Sequence, residues 1–200
     1  IHMNKKNIDE RVVSDFGREW KAFNHNEIDS SSLQSSYDSY FSIFPFEDLP
    51  ADAKGFDMGC GSGRWAKFVS PLVASLHCID PSEVALNQAK NNLAQSSNCT
   101  FECASSSDNS LQEGSQDFGY SLGVLHHVPA TALGIKQCVK KLKIGAPLLL
   151  FLYFWRKCSV SRHMEVSLGR ISTHRTRIRA QKKPNPSTRA ENAGEKIKKA

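Results

Sequence analysis

Short apolar runs alternate with stretches of helical periodicity through most of the chain, and this alternation predicts its elements. Gly, Pro and polar residues bound the apolar runs, as is typical of buried strands. We therefore predict strands near residues 54–58, 75–79, 100–104, 117–124 and 147–154, and helices at about 63–70, after Ser82 and at about 130–142. Strands that alternate with helices indicate an α/β fold, with a mainly parallel sheet covered by helices on both faces.

Residues 1–50 precede this alternation and are predicted to form a helical N-terminal extension. Phe16, Trp20 and Phe23 recur at helical spacing, so they share one face of a helix. A second aromatic cluster also fits one helical face and ends before Pro45, which cannot continue a helix. Its members are Tyr37, Tyr40, Phe41 and Phe44.

The turn after the first predicted strand is rich in glycine. Residues 57–63 read Asp-Met-Gly-Cys-Gly-Ser-Gly, with glycines at alternate positions. Glycine allows backbone conformations that a Cβ forbids, and it lets a ligand approach the backbone closely. The dinucleotide fingerprint requires a further glycine where this chain has Arg64, so a nicotinamide or flavin site is not predicted. Alone, such a turn also occurs as a purely structural connection between a strand and a helix.

Three further segments follow the glycines in the order that one enzyme family shows. Asp80 ends the second predicted strand about 20 residues later, where an acidic residue typically accepts hydrogen bonds from ribose hydroxyls. Residues 117–129 and 141–150 resemble the fourth-strand motif and the turn into the fifth strand of that family. With the D-x-G-x-G-x-G turn, they resemble the class I S-adenosylmethionine-dependent methyltransferases, whose fold is Rossmann-like. The resemblance covers about residues 50–155 and points to the branch that includes quinone-biosynthesis methyltransferases.

The resemblance implies that S-adenosylmethionine is the cofactor and that residues 51–155 form the domain that binds it. Parallel sheets bind ligands at the carboxyl ends of their strands, and four loops at those ends supply the predicted cofactor-binding residues. These are Asp57, Gly59, Cys60, Gly61, Gly63, Asp80, Pro81, Ser82, Ala104, Ser105, Leu122 and Gly123. Asp117 begins its strand, so we interpret it as a structural position at the opposite end. The family usually has an acidic residue for the adenine amino group where this chain has Ser105, and Asp108 is the nearby substitute.

Methyl transfer from a sulfonium is an in-line displacement that depends mostly on alignment of the reactants and on exclusion of water. An oxygen or nitrogen acceptor also needs a base, and His126 and His127 are the candidate catalytic residues after strand four. The alternative is that both histidines only pack where the next helix begins. Two roles also stay open for the N-terminal aromatic residues. They either pack on the domain or, as the resemblance implies, form a lid over the cofactor pocket.

Charge separates the last region of the chain from the rest. Residues 1–155 carry 13 Lys and Arg against 17 Asp and Glu, whereas residues 156–200 carry 13 against 3. The second segment has few large apolar residues and no alternation, so we predict that it is largely disordered. One interpretation is a non-specific tether for nucleic acid or another anionic surface. The other is a truncated or frame-altered end of the protein.

The family fold implies two more strands after Trp155, but the basic composition predicts that this final β-hairpin is lacking. Strand five would then be an edge of the sheet, and residues 148–155 are all apolar. An exposed apolar edge invites pairing with another chain. We therefore expect self-association through strand five, unless a segment of 156–200 folds back to cover it.

The remaining composition argues against several classes of protein. The six cysteines include no C-x-x-C pair, so a metal site is not predicted and a reducing, cytoplasmic location is expected. No apolar run approaches the roughly 20 residues that span a bilayer, so no membrane span is predicted.

These patterns together predict an enzyme: an S-adenosylmethionine-dependent methyltransferase that acts on a small or lipid-linked molecule by direct in-line transfer. One alternative is an RNA or protein methyltransferase guided by the basic tail. The other is a module that binds the cofactor without turnover.

Overall fold

The structure, a computed structural model, describes residues 7–15, 30–153, 164–170 and 179–182. Within them, seven strands form one sheet in the order β3-β2-β1-β4-β5-β6-β7. The strands are β1 (Lys54–Met58), β2 (Ser75–Asp80), β3 (Cys99–Cys103), β4 (Phe118–Leu122), β5 (Pro147–Tyr153), β6 (Met164–Arg170) and β7 (Arg179–Lys182). The helices are α1 (Ser30–Phe41), α2 (Ala66–Val69), α3 (Glu83–Asn92) and α4 (Thr131–Lys141), and residues 10–15 are also helical.

The first five strands are parallel, as the alternating pattern predicts. β1 lies between β2 and β4, so the loops that follow these three strands emerge side by side. One face of the sheet packs with α2 and α3 through residues such as Ala66, Val69 and Leu86. The other face packs against α4 through Ile135 and Cys138. The Rossmann-like α/β sandwich expected from the sequence is therefore confirmed.

Helix α1 brings the second aromatic cluster onto the sheet. The Tyr40 ring meets Phe151 of β5 edge-on at a centroid distance of 4.7 Å, and Phe41 meets Tyr120 of β4 at 5.3 Å. Phe41 and Phe44 are both buried. These contacts are the packing role that one of the two interpretations predicted. The first cluster, with Phe16, Trp20 and Phe23, lies outside the described residues.

The expectation that the chain lacks its last strands is wrong. β6 pairs antiparallel with the whole of β5, from Pro147 opposite Arg170 to Tyr153 opposite Met164, and β7 pairs antiparallel with β6. Composition misled the prediction because an apolar edge offers unpaired N–H and C=O groups, and a following segment can bond to them through its backbone whatever its side chains are. Self-association through a bare β5 edge also loses its basis, because a segment of 156–200 covers that edge.

The strands β6 and β7 also correct the predicted disorder of residues 156–200 at those positions. The other residues of this basic segment lie outside the described part of the chain. Across the described ranges, no helix has the length and apolar character needed to cross a membrane.

Candidate cofactor and active site

The four loops predicted to hold the site meet at the carboxyl ends of the parallel strands. The backbone N–H groups of Gly59 and Cys60 both donate to the Ile79 carbonyl, at 2.7 and 3.0 Å. Ala104 donates to the Asp80 carbonyl at 3.2 Å, which ties the loop after β3 to the end of β2. Gly123 donates to the Phe151 carbonyl at 2.9 Å, just beyond Leu122, the last residue of β4. Backbone hydrogen bonds thus bring the predicted loops to one end of the sheet.

The glycine turn has the backbone that its sequence predicts. Gly59, Gly61 and Gly63 all have positive φ, at 79°, 55° and 76°, a region that residues with a Cβ rarely adopt. At Gly59 the requirement is also steric, because an added Cβ would lie 2.4 Å from Cγ1 of Val124. Val124 follows β4, so the loop after β4 packs directly on the glycine turn.

Asp80 connects the glycine turn to the start of α3. Its Oδ2 accepts a hydrogen bond from the Gly61 N–H and its Oδ1 accepts one from the Ser82 N–H, both at 2.9 Å. Burial raises the pKa of Asp80, and these two N–H groups offset part of that increase. Pro81 separates Asp80 from Ser82, whose hydroxyl accepts from the Ala85 N–H at 3.3 Å and caps α3. Each carboxylate oxygen keeps further acceptor capacity for a ligand hydroxyl.

Asp57 lies beneath the glycine turn and is only 1% exposed. It is paired in the sheet with Tyr120, which is fully buried. Burial raises the pKa of Asp57 well above its usual range, and the nearby Tyr120 hydroxyl offsets this only in part. Within the described residues, Oδ2 of Asp57 has no hydrogen-bond partner. An acidic side chain that is buried in this way destabilises the protein when no ligand is bound. Destabilising groups of this kind are common at ligand-binding sites.

Cys60 contributes to the turn through its backbone. Its side chain is buried in the apolar cluster that also contains Cys78 and Trp65. The Cys60 thiol donates a weak hydrogen bond to the Gly61 carbonyl at 3.6 Å. The neighbouring Cys78 lowers the pKa of Cys60, but burial and the nearby carboxylates outweigh it, so that the pKa is raised. A thiol in this environment is unreactive, so Cys60 is a packing residue within the turn.

The loop after β3 replaces the expected acidic residue with a pair of side chains. Ser105 is buried, and both its N–H and its hydroxyl donate to Oδ1 of Asp108 at 2.7 Å. Asn109 closes the loop by donating to the carbonyls of Ser105 and Ser106. Asp108 itself is exposed, so its carboxylate is open to solvent while it accepts both bonds from Ser105.

Glu102 of β3 fixes the far end of that loop. Its two carboxylate oxygens accept hydrogen bonds from the N–H and the hydroxyl of Ser110, both at 2.8 Å. His77 of β2 lies 2.8 Å from Oε2 of the same carboxylate. Burial opposes ionisation of Glu102, but the bonds from His77 and Ser110 outweigh it and lower the pKa of Glu102. Glu102 is absent from the residues that sequence reasoning selected.

His126 and His127 lie in the loop after β4, with ring centroids 4.0 Å apart. Burial, followed by the neighbouring His127, lowers the pKa of His126 to about 4. Burial also lowers the pKa of His127, which is the more exposed residue of the two. Both imidazoles are therefore neutral at pH 7, the form in which a histidine accepts a proton.

Asn7 was missed by the sequence analysis and lies next to this loop. Its Oδ1 accepts from the Ala130 N–H at 2.9 Å, and its Nδ2 donates to the Ala130 carbonyl at 3.1 Å. A single asparagine in a polar N-terminal stretch carries no periodicity or motif that would predict a contact across 123 positions.

Asp117 directly precedes β4 and therefore lies at the opposite end of the sheet, as predicted. Its carboxylate accepts from the Lys54 N–H at 3.1 Å and pairs with the Lys143 ammonium at 2.7 Å. No group of His, Cys, Asp and Glu side chains in the described ranges is arranged to hold a metal ion.

Residues 56–145 match the family model described as a methyltransferase domain, which covers the glycine turn, Asp80 and both histidines. This region is therefore similar to known methyltransferase domains. The match agrees with the family, enzyme class and S-adenosylmethionine cofactor that the resemblance implied. No curated protein sequence matches the chain significantly.

Solved structures share the fold of this methyltransferase domain at low sequence identity. An S-adenosylmethionine-dependent methyltransferase from Aquifex aeolicus is 18% identical, with a TM-score of 0.50, over 68% of this chain and 78% of that one. Phosphoethanolamine N-methyltransferase 1 from Haemonchus contortus, solved with phosphoethanolamine and S-adenosylhomocysteine, is 14% identical, with a TM-score of 0.58, over 80% and 35%. The [4+2]-cyclase SpnF is 18% identical, with a TM-score of 0.53, over 66% and 47%. The chain spans about half the length of three other matching structures, at 52%, 53% and 47%.

Proposed function

We propose that the protein transfers a methyl group from S-adenosylmethionine to a small or lipid-linked molecule. The observation that carries this proposal is the Asp80 carboxylate, which bonds the Gly61 N–H and the Ser82 N–H at the carboxyl end of the sheet. This arrangement fixes the glycine turn beside an acidic acceptor, as binding of a ribose requires.

The cofactor would lie across the ends of β1 and β2. Asp80 would accept hydrogen bonds from the ribose hydroxyls while it keeps its bonds to the backbone. The loop after β3 would contact the adenine, with Ser105 anchoring the loop and Asp108 providing the carboxylate for the exocyclic amino group. The buried Asp57 would offset the positive charge of the methionine end, because a cation nearby favours the ionised carboxylate.

Methyl transfer would follow a direct displacement. A lone pair of the acceptor attacks the methyl carbon, the bond from that carbon to sulfur breaks, and the electron pair stays on sulfur. The products are the methylated acceptor and neutral S-adenosylhomocysteine. A proton that leaves an oxygen or nitrogen acceptor would pass to His127 or His126, which are neutral at pH 7. His127 is the better base of the two, because a pKa of about 4 makes His126 a weak proton acceptor.

The Haemonchus contortus enzyme supports a small polar acceptor, because its structure holds phosphoethanolamine. The basic segment 156–200 supports the alternative of RNA or protein as the acceptor, since its charge would attract phosphates or acidic surfaces. The likeness to SpnF, a [4+2]-cyclase, favours a third candidate: a domain that binds the cofactor and does not transfer its methyl group. A shared fold does not fix the reaction, so these candidates need a direct assay.

The full-length chain can be incubated with methyl-labelled S-adenosylmethionine and a cell extract separated into small-molecule, lipid, protein and RNA fractions. We expect label in the small-molecule or lipid fraction and none with heat-inactivated protein. Label only in RNA or protein would overturn the proposed acceptor class. Cofactor binding by calorimetry without any labelled product would support the non-transferring module instead.

A further inference from the structure

Asn7 is a polar residue that is almost completely buried, so its side chain needs hydrogen-bond partners within the protein. It is 3% exposed, and its φ of 48° lies in the left-handed region, which Asn adopts more readily than most residues. Its side-chain amide makes two hydrogen bonds, and both go to the backbone of Ala130. One amide thus pairs with the donor and the acceptor of one residue, as a neighbouring strand would.

Ala130 ends the loop that runs from β4 to α4. It directly precedes α4, and its carbonyl accepts from the Gly134 N–H at 3.0 Å in the first turn of that helix. Ala130 has no side chain that can cap the helix, so the Asn7 amide is the polar side chain that bonds there. The N-terminal segment and the start of α4 are therefore held together by Asn7.

The same loop touches the glycine turn at its other end. Val124 packs against Gly59 so closely that an added Cβ would come within 2.4 Å of the Val124 side chain. The His127 N–H donates to the Val124 carbonyl at 2.9 Å, so the two histidines lie between the Gly59 contact and the Ala130 contact. Movement at Ala130 would alter how Val124 packs on the glycine turn, because only a few residues of backbone separate them.

We propose that Asn7 is a positioning residue that fixes the loop of residues 123–130, and through it the glycine turn and the two histidines. The cofactor part of this inference rests on the proposed function. The loop part does not, because it depends only on the hydrogen bonds of Asn7 and on the packing of Val124.

Two variants of Asn7 and one matched control test the proposal. Asn7→Gly removes the amide and tolerates the positive φ without strain. Asn7→Asp keeps an acceptor for the Ala130 N–H but places a carboxylate oxygen against the Ala130 carbonyl. Asn98→Ala is the control, because the Asn98 amide also donates two hydrogen bonds to backbone carbonyls, those of Ser70 and Val73, before β2 at the other end of the sheet.

Three measurements on the full chain separate positioning from a general loss of stability. Hydrogen exchange should be at least tenfold faster in residues 123–130 for Asn7→Gly, intermediate for Asn7→Asp and unchanged for Asn98→Ala. The NMR titration midpoints of His126 and His127 should move towards the ordinary histidine value in the Asn7 variants alone. Calorimetry with S-adenosylhomocysteine as the probe should show at least threefold weaker binding for Asn7→Gly and unchanged binding for the control.

Unchanged exchange and unchanged histidine titration in the Asn7 variants would overturn the proposal. A loosened loop with unaltered affinity for the probe would overturn the link to the glycine turn. If the wild-type protein does not bind S-adenosylhomocysteine while the loop and the histidines still respond, the proposed function fails and the positioning role of Asn7 stands.

Discussion

The two halves of the carboxyl end of the sheet are built by different kinds of contact. The half that we propose binds the cofactor, residues 57–63 and 80–82 (the cofactor half), is closed by hydrogen bonds between neighbouring βα units, such as Gly61 to Asp80 across 19 positions. The half that we propose faces the methyl acceptor, residues 124–130 with Asn7 (the acceptor half), depends on a contact across 123 positions. The first half is therefore specified locally, whereas the second depends on where the N-terminal segment docks. Substitutions in each half should fail in different ways.

The largest effect is expected at Gly59, where the two halves touch. Gly59→Ala adds a Cβ that meets Val124 and places a non-glycine residue at a φ of 79°. Backbone strain of this kind costs on the order of 1–3 kcal/mol, and the collision with Val124 should also distort the turn. We expect a lower free energy of unfolding in urea and no measurable binding of S-adenosylmethionine.

Gly114→Ala is the matched control for that substitution. Gly114 also has a positive φ, of 69°, but an added Cβ would meet nothing within 4 Å. The control should have a lower free energy of unfolding because of the backbone strain, but it should bind the cofactor with wild-type affinity. Equal loss of affinity in both variants would contradict a specific role of the contact between Gly59 and Val124.

The second effect concerns the buried acid of the cofactor half. Burial raises the folded-state pKa of Asp57 above its unfolded value, so the folded protein binds the proton more tightly and loses stability as the pH rises above about 4. Asp57→Asn removes that penalty, which is about 1.4 kcal/mol for every unit by which the pKa is raised. We expect a higher melting temperature for the empty variant, more so at pH 8 than at pH 5, together with weaker cofactor binding. A gain in stability that is larger at pH 5 would contradict this account.

The smallest effect is expected at the histidine pair of the acceptor half. Burial lowers the folded-state pKa of His126 to about 4, below the ordinary value of 6.5, so the folded protein loses stability as the pH falls from about 6.5 towards 4. His126→Asn should therefore lose less stability than the wild type between pH 7 and pH 4.5 in thermal melts. Partial exposure to solvent screens this effect. Parallel melting curves for the two proteins across that range would argue against it.

The sequence predicted the backbone of the glycine turn and the start of α3 because their signals are local. The alternating glycines require positive φ, Ser82 is a recognisable helix cap, and the separation of Asp80 from the turn reflects one βα unit. The register between β1 and β4, which pairs Asp57 with Tyr120, depends on tertiary packing that no single segment encodes. Tyr120 was therefore not selected from the sequence, although it shapes the environment of Asp57.

The other failures have the same origin. The proposed role of Asn7 depends on one amide, whose partner Ala130 lies 123 positions further along the chain. β6 was not predicted because backbone pairing to an open edge leaves little trace in composition. The aromatic residues of α1 were recognised as one face, but the sequence did not indicate which strands they would contact.

The most direct test of the central claim is a calorimetric titration of S-adenosylmethionine into three proteins: the wild type, Asp80→Ala and Asp117→Ala. Both aspartates flank strands of the same sheet, but Asp80 bonds the glycine turn at the carboxyl end and Asp117 bonds Lys54 and Lys143 at the other. Loss of a hydrogen-bonded charged group costs about 1.5–3 kcal/mol, so Asp80→Ala should weaken binding by roughly 10-fold or more, whereas Asp117→Ala should bind as the wild type does. Equal affinities for the wild type and Asp80→Ala would contradict the proposed cofactor site.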